Sequence, residues 1–229
     1  MHIKLSFSLD KAKTARRFGL PIKEMPEANY NISPGNTVVG ITIENPDILS
    51  ALEWGLVFEN SVNKKPFYWV SKSNLKLKNV KNLVLEKRCI IPADGFYFWK
   101  RVSKKSLIPF RVSLKWNLPF AFAGIYYVWS DEKNIIHQTT SILNTPSNDL
   151  LKPFIKNFPL ILPLEKEKVW LNKELQLNEI MELIKPYPAE KLKIFPVSSQ
   201  IIDPDFNSPL LLEAVKYATD QKGNYIMFT

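Results

Sequence analysis

Few side chains in this 229-residue sequence can act as nucleophile, acid or base at neutral pH: there is one cysteine, Cys89, and two histidines, His2 and His137. Imidazole trades protons near neutrality, which makes His2 a candidate general base or metal ligand. No second His or Cys stands near it in the sequence, which argues against a metal site. His137 falls in the strand-like run Asn134-Ile135-Ile136-His137-Gln138-Thr139, where a satisfied structural role is the default reading. A single cysteine excludes an internal disulfide and fits a reducing compartment. The glycine-rich phosphate and dinucleotide loops, the G-x-S-x-G nucleophile elbow and the H-E-x-x-H zinc motif are all absent from the sequence.

The elements that must hold these groups read as a mixture. Apolar or alternating runs of strand length occur at residues 37–43, 83–85, 110–114, 120–129 and 135–142, rich in Val, Ile, Phe, Tyr and Trp. Helical spacing occurs at 9–18, with Asp10 just ahead of a Lys/Ala/Arg run, and at 165–171, 177–184 and 209–217. There is no regular β-α alternation, so an α+β fold is expected, with a mixed, mainly antiparallel β-sheet or barrel core surrounded by helices. No repeat or low-complexity linker divides the chain, and residues 1–229 are expected to form a single domain. The densest basic stretch, residues 72–87, reads by itself as a solvated loop or strand face. The net charge of +9 attracts polyanions without conferring specificity. No apolar run has the length of a membrane span and no secretory signal is evident, so a soluble cytoplasmic protein is expected.

The segment Arg88-Cys89-Ile90-Ile91-Pro92-Ala93-Asp94-Gly95-Phe96-Tyr97-Phe98-Trp99 resembles the signature R-C-L-I-P-A-D-G-F-Y-E-W of the SRAP family (SOS-response-associated peptidase). Further elements follow in family order. Tyr30-Asn31-Ile32-Ser33-Pro34 resembles Y-N-I-A-P, and Glu53-Trp54-Gly55-Leu56-Val57 is similar to W-G-L-I-P. The run from Leu118 to Trp129 matches P-F-A-F-A-G-L-W-x-x-W, while Asn144-Thr145-Pro146-Ser147-Asn148 resembles T-T-P-A-N. Phe158-Pro159-Leu160-Ile161-Leu162 and Phe195-Pro196-Val197-Ser198 resemble the late M-P-V-I-L and P-V-S elements. Most of these residues read as framework: tryptophan anchors, glycines that allow close approach, and Asp94 as a turn residue. Cys89 matches the framework cysteine, which implies a buried, inert thiol.

The resemblance implies action on abasic sites in single-stranded DNA, beginning from a Cys directly after the initiator Met. Its amine forms a Schiff base with the opened sugar and its thiol closes a thiazolidine. At that position stands His2, which cannot close such a ring, and a bulky second residue is expected to leave Met1 in place. Phe98 occupies the place of the family's catalytic Glu, and Ile155 that of its catalytic His in H-D-R-M-P, with Lys156, Asn157 and Phe158 following. The family's N-A-R-x-E-T falls at residues 68–73, or two later, and neither register supplies its Asn and Arg together. Phe58-Glu59-Asn60 stand where the family continues with Pro and a Trp near the DNA.

Framework substitutions are mild and reactive positions are replaced, which implies a member that does not carry out the family reaction. Residues expected to contact DNA are Lys4, Lys72, Lys76, Thr145, Lys156 and Asn157. Single-stranded or abasic DNA is the expected partner, with no cofactor, metal or membrane, and a monomer is the default. Two alternatives remain. One is an interaction module without DNA, in which Phe58, Phe98, Ile155 and Phe158 share one neighbourhood as an apolar pocket or filled core. The other is an amine-based lyase using Met1 or a lysine.

Overall fold

A computed structural model describes residues 3–20, 27–59, 65–102, 106–219 and 225–228. The chain opens with strand β1 (Ile3–Phe7) and helix α1 (Lys11–Phe18), then β2 (Asn29–Ile32), β3 (Thr37–Thr42), β4 (Ser50–Trp54) and β5 (Trp69–Val70). Helix α2 (Lys78–Glu86) leads into β6 (Arg88–Ala93), β7 (Gly95–Arg101), β8 (Leu107–Leu114), β9 (Phe120–Ser130) and β10 (Ile136–Pro146). There follow β11 (Asn157–Pro159), β12 (Ile161–Leu162), α3 (Leu164–Trp170), α4 (Leu177–Leu183), β13 (Leu192–Pro196) and a final hairpin, β14 (Lys216–Thr219) with β15 (Tyr225–Phe228).

Two sheets carry the architecture. One is an antiparallel five-stranded sheet in the order β13-β8-β7-β1-β2. In the other, β10 pairs with both β4 and β9, so the path β4-β3-β6-β9-β10 closes on itself as a small barrel. Only the β10 pairings with β4 and β5 are parallel among the described strands. This is the α+β, mainly antiparallel arrangement expected.

The period-two alternation of strands sorts the core. In β6 and β9, Cys89, Ile91, Ala93, Phe120, Phe122 and Tyr126 join a cluster that fills the barrel and lines the inner face of the five-stranded sheet. Their neighbours Ile90, Ala121, Ala123 and Ile125 face outward with Val80, Leu83 and Val84 of α2 and Trp170 of α3. Asp94 lies between β6 and β7, where the chain leaves the barrel for the five-stranded sheet. The signature segment thus crosses both.

Three expectations need correction. Residues 83–85 are not a strand but the end of α2, whose apolar residues at 80, 83 and 84 follow helical spacing that so short a window conceals. The basic stretch 72–87 is neither loop nor strand: a 3₁₀ turn, Lys72–Lys76, runs into α2. Residues 209–217 form a 3₁₀ turn, Pro209–Leu212, capped by Ser208, and then enter β14. Pro209 at the first position and the Ser208 cap are true helix-start signals, but they begin a single turn that Glu213 ends in extended conformation. In α1, by contrast, both signals are complete: the Asp10 carboxylate accepts from the Lys13 amide (2.7 Å), and Gly19 closes the helix at φ 69°.

Candidate functional site

Strand register brings the implied catalytic positions into one apolar cluster. Ile3 pairs with Phe98 across β1 and β7, and Phe98 pairs with Phe110 across β7 and β8. Paired residues project to the same face, so all three point inward. Phe98 is 1% exposed, stacked on Phe110 (centroids 5.8 Å apart, 18° between planes) and against Phe154 at 5.9 Å. Phe110 and Phe154 complete the triangle at 5.9 Å.

The turn between β10 and β11 supplies Phe154. Its Asn148 side chain accepts from the Leu151 amide and donates to the Tyr187 carbonyl (2.7 Å), while the Ile155 amide bonds to the Leu151 carbonyl. This fixes Phe154 and Ile155 against the same cluster that contains Phe98. Trp69, in the segment where the family's Asn and Arg would fall, packs on that cluster too, edge-on to Trp54 at 5.1 Å. His2 lies outside the described residues.

Phe158 is buried in the same cluster, stacked on Phe96. Phe58 is not: it meets Phe67 and Tyr127 on the helix-facing side of the barrel, because the two core faces are separated by the strands themselves. The expected four-residue neighbourhood therefore contains three.

The polar candidates are scattered. Lys156 and Asn157 are exposed directly after Ile155. Thr145, opposite Phe158 in the β10–β11 pair, is buried, and its hydroxyl has no hydrogen-bond partner among the described residues. Lys4 points to the outer face of the five-stranded sheet, where its ammonium donates to Asn31 Oδ1 (2.8 Å) and the Ile201 carbonyl (2.7 Å). Burial lowers its pKa, partly offset by Asp203. Lys72 and Lys76 are exposed on their 3₁₀ turn, and the field of Lys72 reaches Glu182 of α4. Beside Lys4, a recess of about 460 Å³ is lined largely by Ile3, Pro34, Trp99, Leu107 and Ile202. Sequence reasoning missed it, although Trp99 and Pro34 belong to recognised elements and alternation puts Trp99 opposite Phe98 in β7.

The rest of the signature serves the framework. Arg88 is fully buried and donates to the carbonyls of Val84 and Leu85 at the end of α2, and of Trp170 and Asn172 at and after the end of α3. One guanidinium thereby satisfies backbone acceptors left over by two helices. Asp94 accepts from Ser6, from the Ser8 amide and hydroxyl, and from Arg111 Nη2 (3.0 Å). The guanidinium of Arg111 lies over Gly95, where an added Cβ would come within 2.6 Å of it. Cys89 is sealed beside Thr140 (3.4 Å), and burial pushes its thiol up to about 12. His137 stacks on Trp129 (4.4 Å) and meets Asp131 at 3.2 Å beside the turn of the β9–β10 hairpin. No group of three or more His, Cys, Asp or Glu suited to a metal occurs among the described residues. No helix among them is long and apolar enough to cross a membrane.

The comparisons with known proteins bear on the family and the fold. A family model described as "SOS response associated peptidase (SRAP)" matches residues 1–204. The chain is 34% identical over 192 residues to the abasic site processing protein YoqW of Bacillus subtilis, covering 81% of this chain and 86% of that protein. It is also 34% identical over 194 residues to YoaM, an abasic site processing protein of the same organism, covering 82% and 86%. Among solved structures, a crystal structure of a Bacteroides thetaiotaomicron protein superposes with a TM-score of 0.82 at 25% identity, covering 92% of this chain and 98% of that one.

Proposed function

The chain belongs to the SRAP family, and we propose that this member binds single-stranded or abasic DNA without forming the thiazolidine crosslink. The observation that carries the reading is Phe98, sealed in a three-ring cluster with Ile155 packed on the same core. Neither can move a proton, and general acid–base assistance is typically worth ~10²–10⁴ in rate. A thiazolidine also needs a free thiol, and the sequence's one cysteine is Cys89, buried and held protonated.

Retention of strand binding is supported by the named activity of the relatives, the net charge of +9, and exposed Lys72, Lys76, Lys156 and Asn157. Lysine–phosphate contacts and stacking suffice to hold single strands without sequence preference. The test is a labelled oligonucleotide, with and without an abasic site, titrated at low and moderate salt. Binding that falls steeply with salt is expected. No binding by micromolar protein at low salt would refute the reading. The closed packing of Phe98 favours the second reading, an interaction module, should binding be absent.

A further inference from the structure

The turn between β8 and β9 carries an unusual residue. Trp116 is 81% exposed, and its backbone lies in the left-handed region (φ 61°, ψ 16°), followed by Asn117 at φ 53°. Two successive positive φ values are the pattern of a type I′ turn, here joining strands of two different sheets, and such a turn favours Asn, Asp or Gly at these positions. Asn117 suits it. A tryptophan does not: a bulky L side chain is disfavoured at positive φ, and here its ring gains no burial and makes no ring contact among the described residues. Neither folding nor packing accounts for tryptophan at this corner, and an outlier of this kind points to function.

The surroundings indicate which function. The turn is held in place, because Asn117 Oδ1 accepts from Lys193 Nζ (2.7 Å) on β13. Lys115 precedes the tryptophan, Lys191 directly precedes Leu192, which pairs with Leu114 at the end of β8, and both lysines are exposed, as is Leu118 at 52%. An exposed indole among lysines is suited to an unpaired base with its phosphates. It lies at the end of β8 opposite Leu107 and the recess beside Lys4.

We infer that Trp116 is a base-stacking post for single-stranded nucleic acid, with Lys115, Lys191 and Lys193 on the adjoining phosphates. This rests on the strand-binding reading above and adds a contact remote from Phe98. The test compares wild-type protein with Trp116→Gly and Trp116→Tyr for binding labelled oligothymidine, its duplex with oligoadenine, and phosphatidylserine vesicles. Trp116→Gly is expected to fold at least as stably, since glycine accepts the backbone conformation. It should bind the single strand roughly 5- to 150-fold more weakly, the range of one lost stacking contact. Trp116→Tyr should stay close to wild type, and duplex binding should be the same for all three. Equal single-strand affinity of wild type and Trp116→Gly overturns the inference and leaves the strand-binding reading intact. Absence of binding by the wild type ends both. Loss of vesicle binding alone in Trp116→Gly assigns the residue to a membrane surface and likewise overturns the inference.

Discussion

The two faces of β7 meet opposite requirements within seven residues. On its outer face Gly95 and Tyr97 accompany the buried Asp94–Arg111 pair and the Ser6 hydroxyl. On its inner face Phe96 and Phe98 pack in a cluster of rings and aliphatic groups. The outer set resembles the family signature residue for residue, while the inner set departs from it at Phe98. The difference follows from partnership. Ser6, Asp94 and Arg111 are tied to one another by buried hydrogen bonds that the loss of any one would break, and Gly95 leaves the room that the Arg111 guanidinium occupies, whereas Phe98 has no such polar tie. On the function proposed above, no chemistry calls for a carboxylate at this place, and the phenyl ring of Phe98 packs there on Phe110 and Phe154.

The comparison breaks first at Phe98→Glu. A carboxylate there has no partner and displaces a packed ring, so a loss above about 5 kcal/mol in urea unfolding is expected at pH 7. Burial raises the pKa of such a carboxylate, so stability falls as pH rises from its unfolded value toward its folded one, and the variant should recover in part toward pH 4. Phe98→Leu should cost only about 1–2 kcal/mol. Tolerance of the Glu would mean that the inner face is an open site rather than core.

Arg88→Ala comes next. It strands carbonyls of two helix ends in the interior, and about 3–5 kcal/mol is expected from thermal or urea unfolding. The Cys89 thiol gives a pH test. Because its folded pKa lies at about 12 and an unfolded thiol titrates near 8.5, its contribution is complete below about pH 8.5 and is lost as pH rises through the folded value. Cys89→Ala should flatten part of that alkaline decline. In the wild type, iodoacetamide should leave the thiol unmodified at pH 8 until urea is added. The smallest effect is expected at Lys156→Ala: a few-fold weaker binding and a salt slope shallower by about one.

Much of the fold was legible because motifs with fixed spacing mark strand pairs. The signature, the Leu118–Trp129 run and the Asn144–Asn148 element are β6–β7, β9 and the end of β10 with the turn that follows. The helix at 78–86 was hidden because its apolar residues lie close together in a lysine-rich stretch, where only the buried partner on the barrel distinguishes a helix face from a strand. At the candidate site, counting along the chain led to Phe98 and Ile155, which the fold brings into one apolar cluster. Phe110 and Phe154 could not be reached in this way, since they meet Phe98 only through the β7–β8 register and a turn set by Asn148. The Trp116 corner was equally silent, because exposure and positive φ are properties of the folded backbone.

The most direct test of the central claim is incubation of the full-length protein with a single-stranded oligonucleotide carrying one abasic site, followed by denaturing electrophoresis. YoqW of Bacillus subtilis, handled in parallel, serves as the reference. The account predicts oligonucleotide that binds this chain under native conditions and runs free of it after denaturation. A stable protein–DNA adduct formed by the wild-type chain would contradict it.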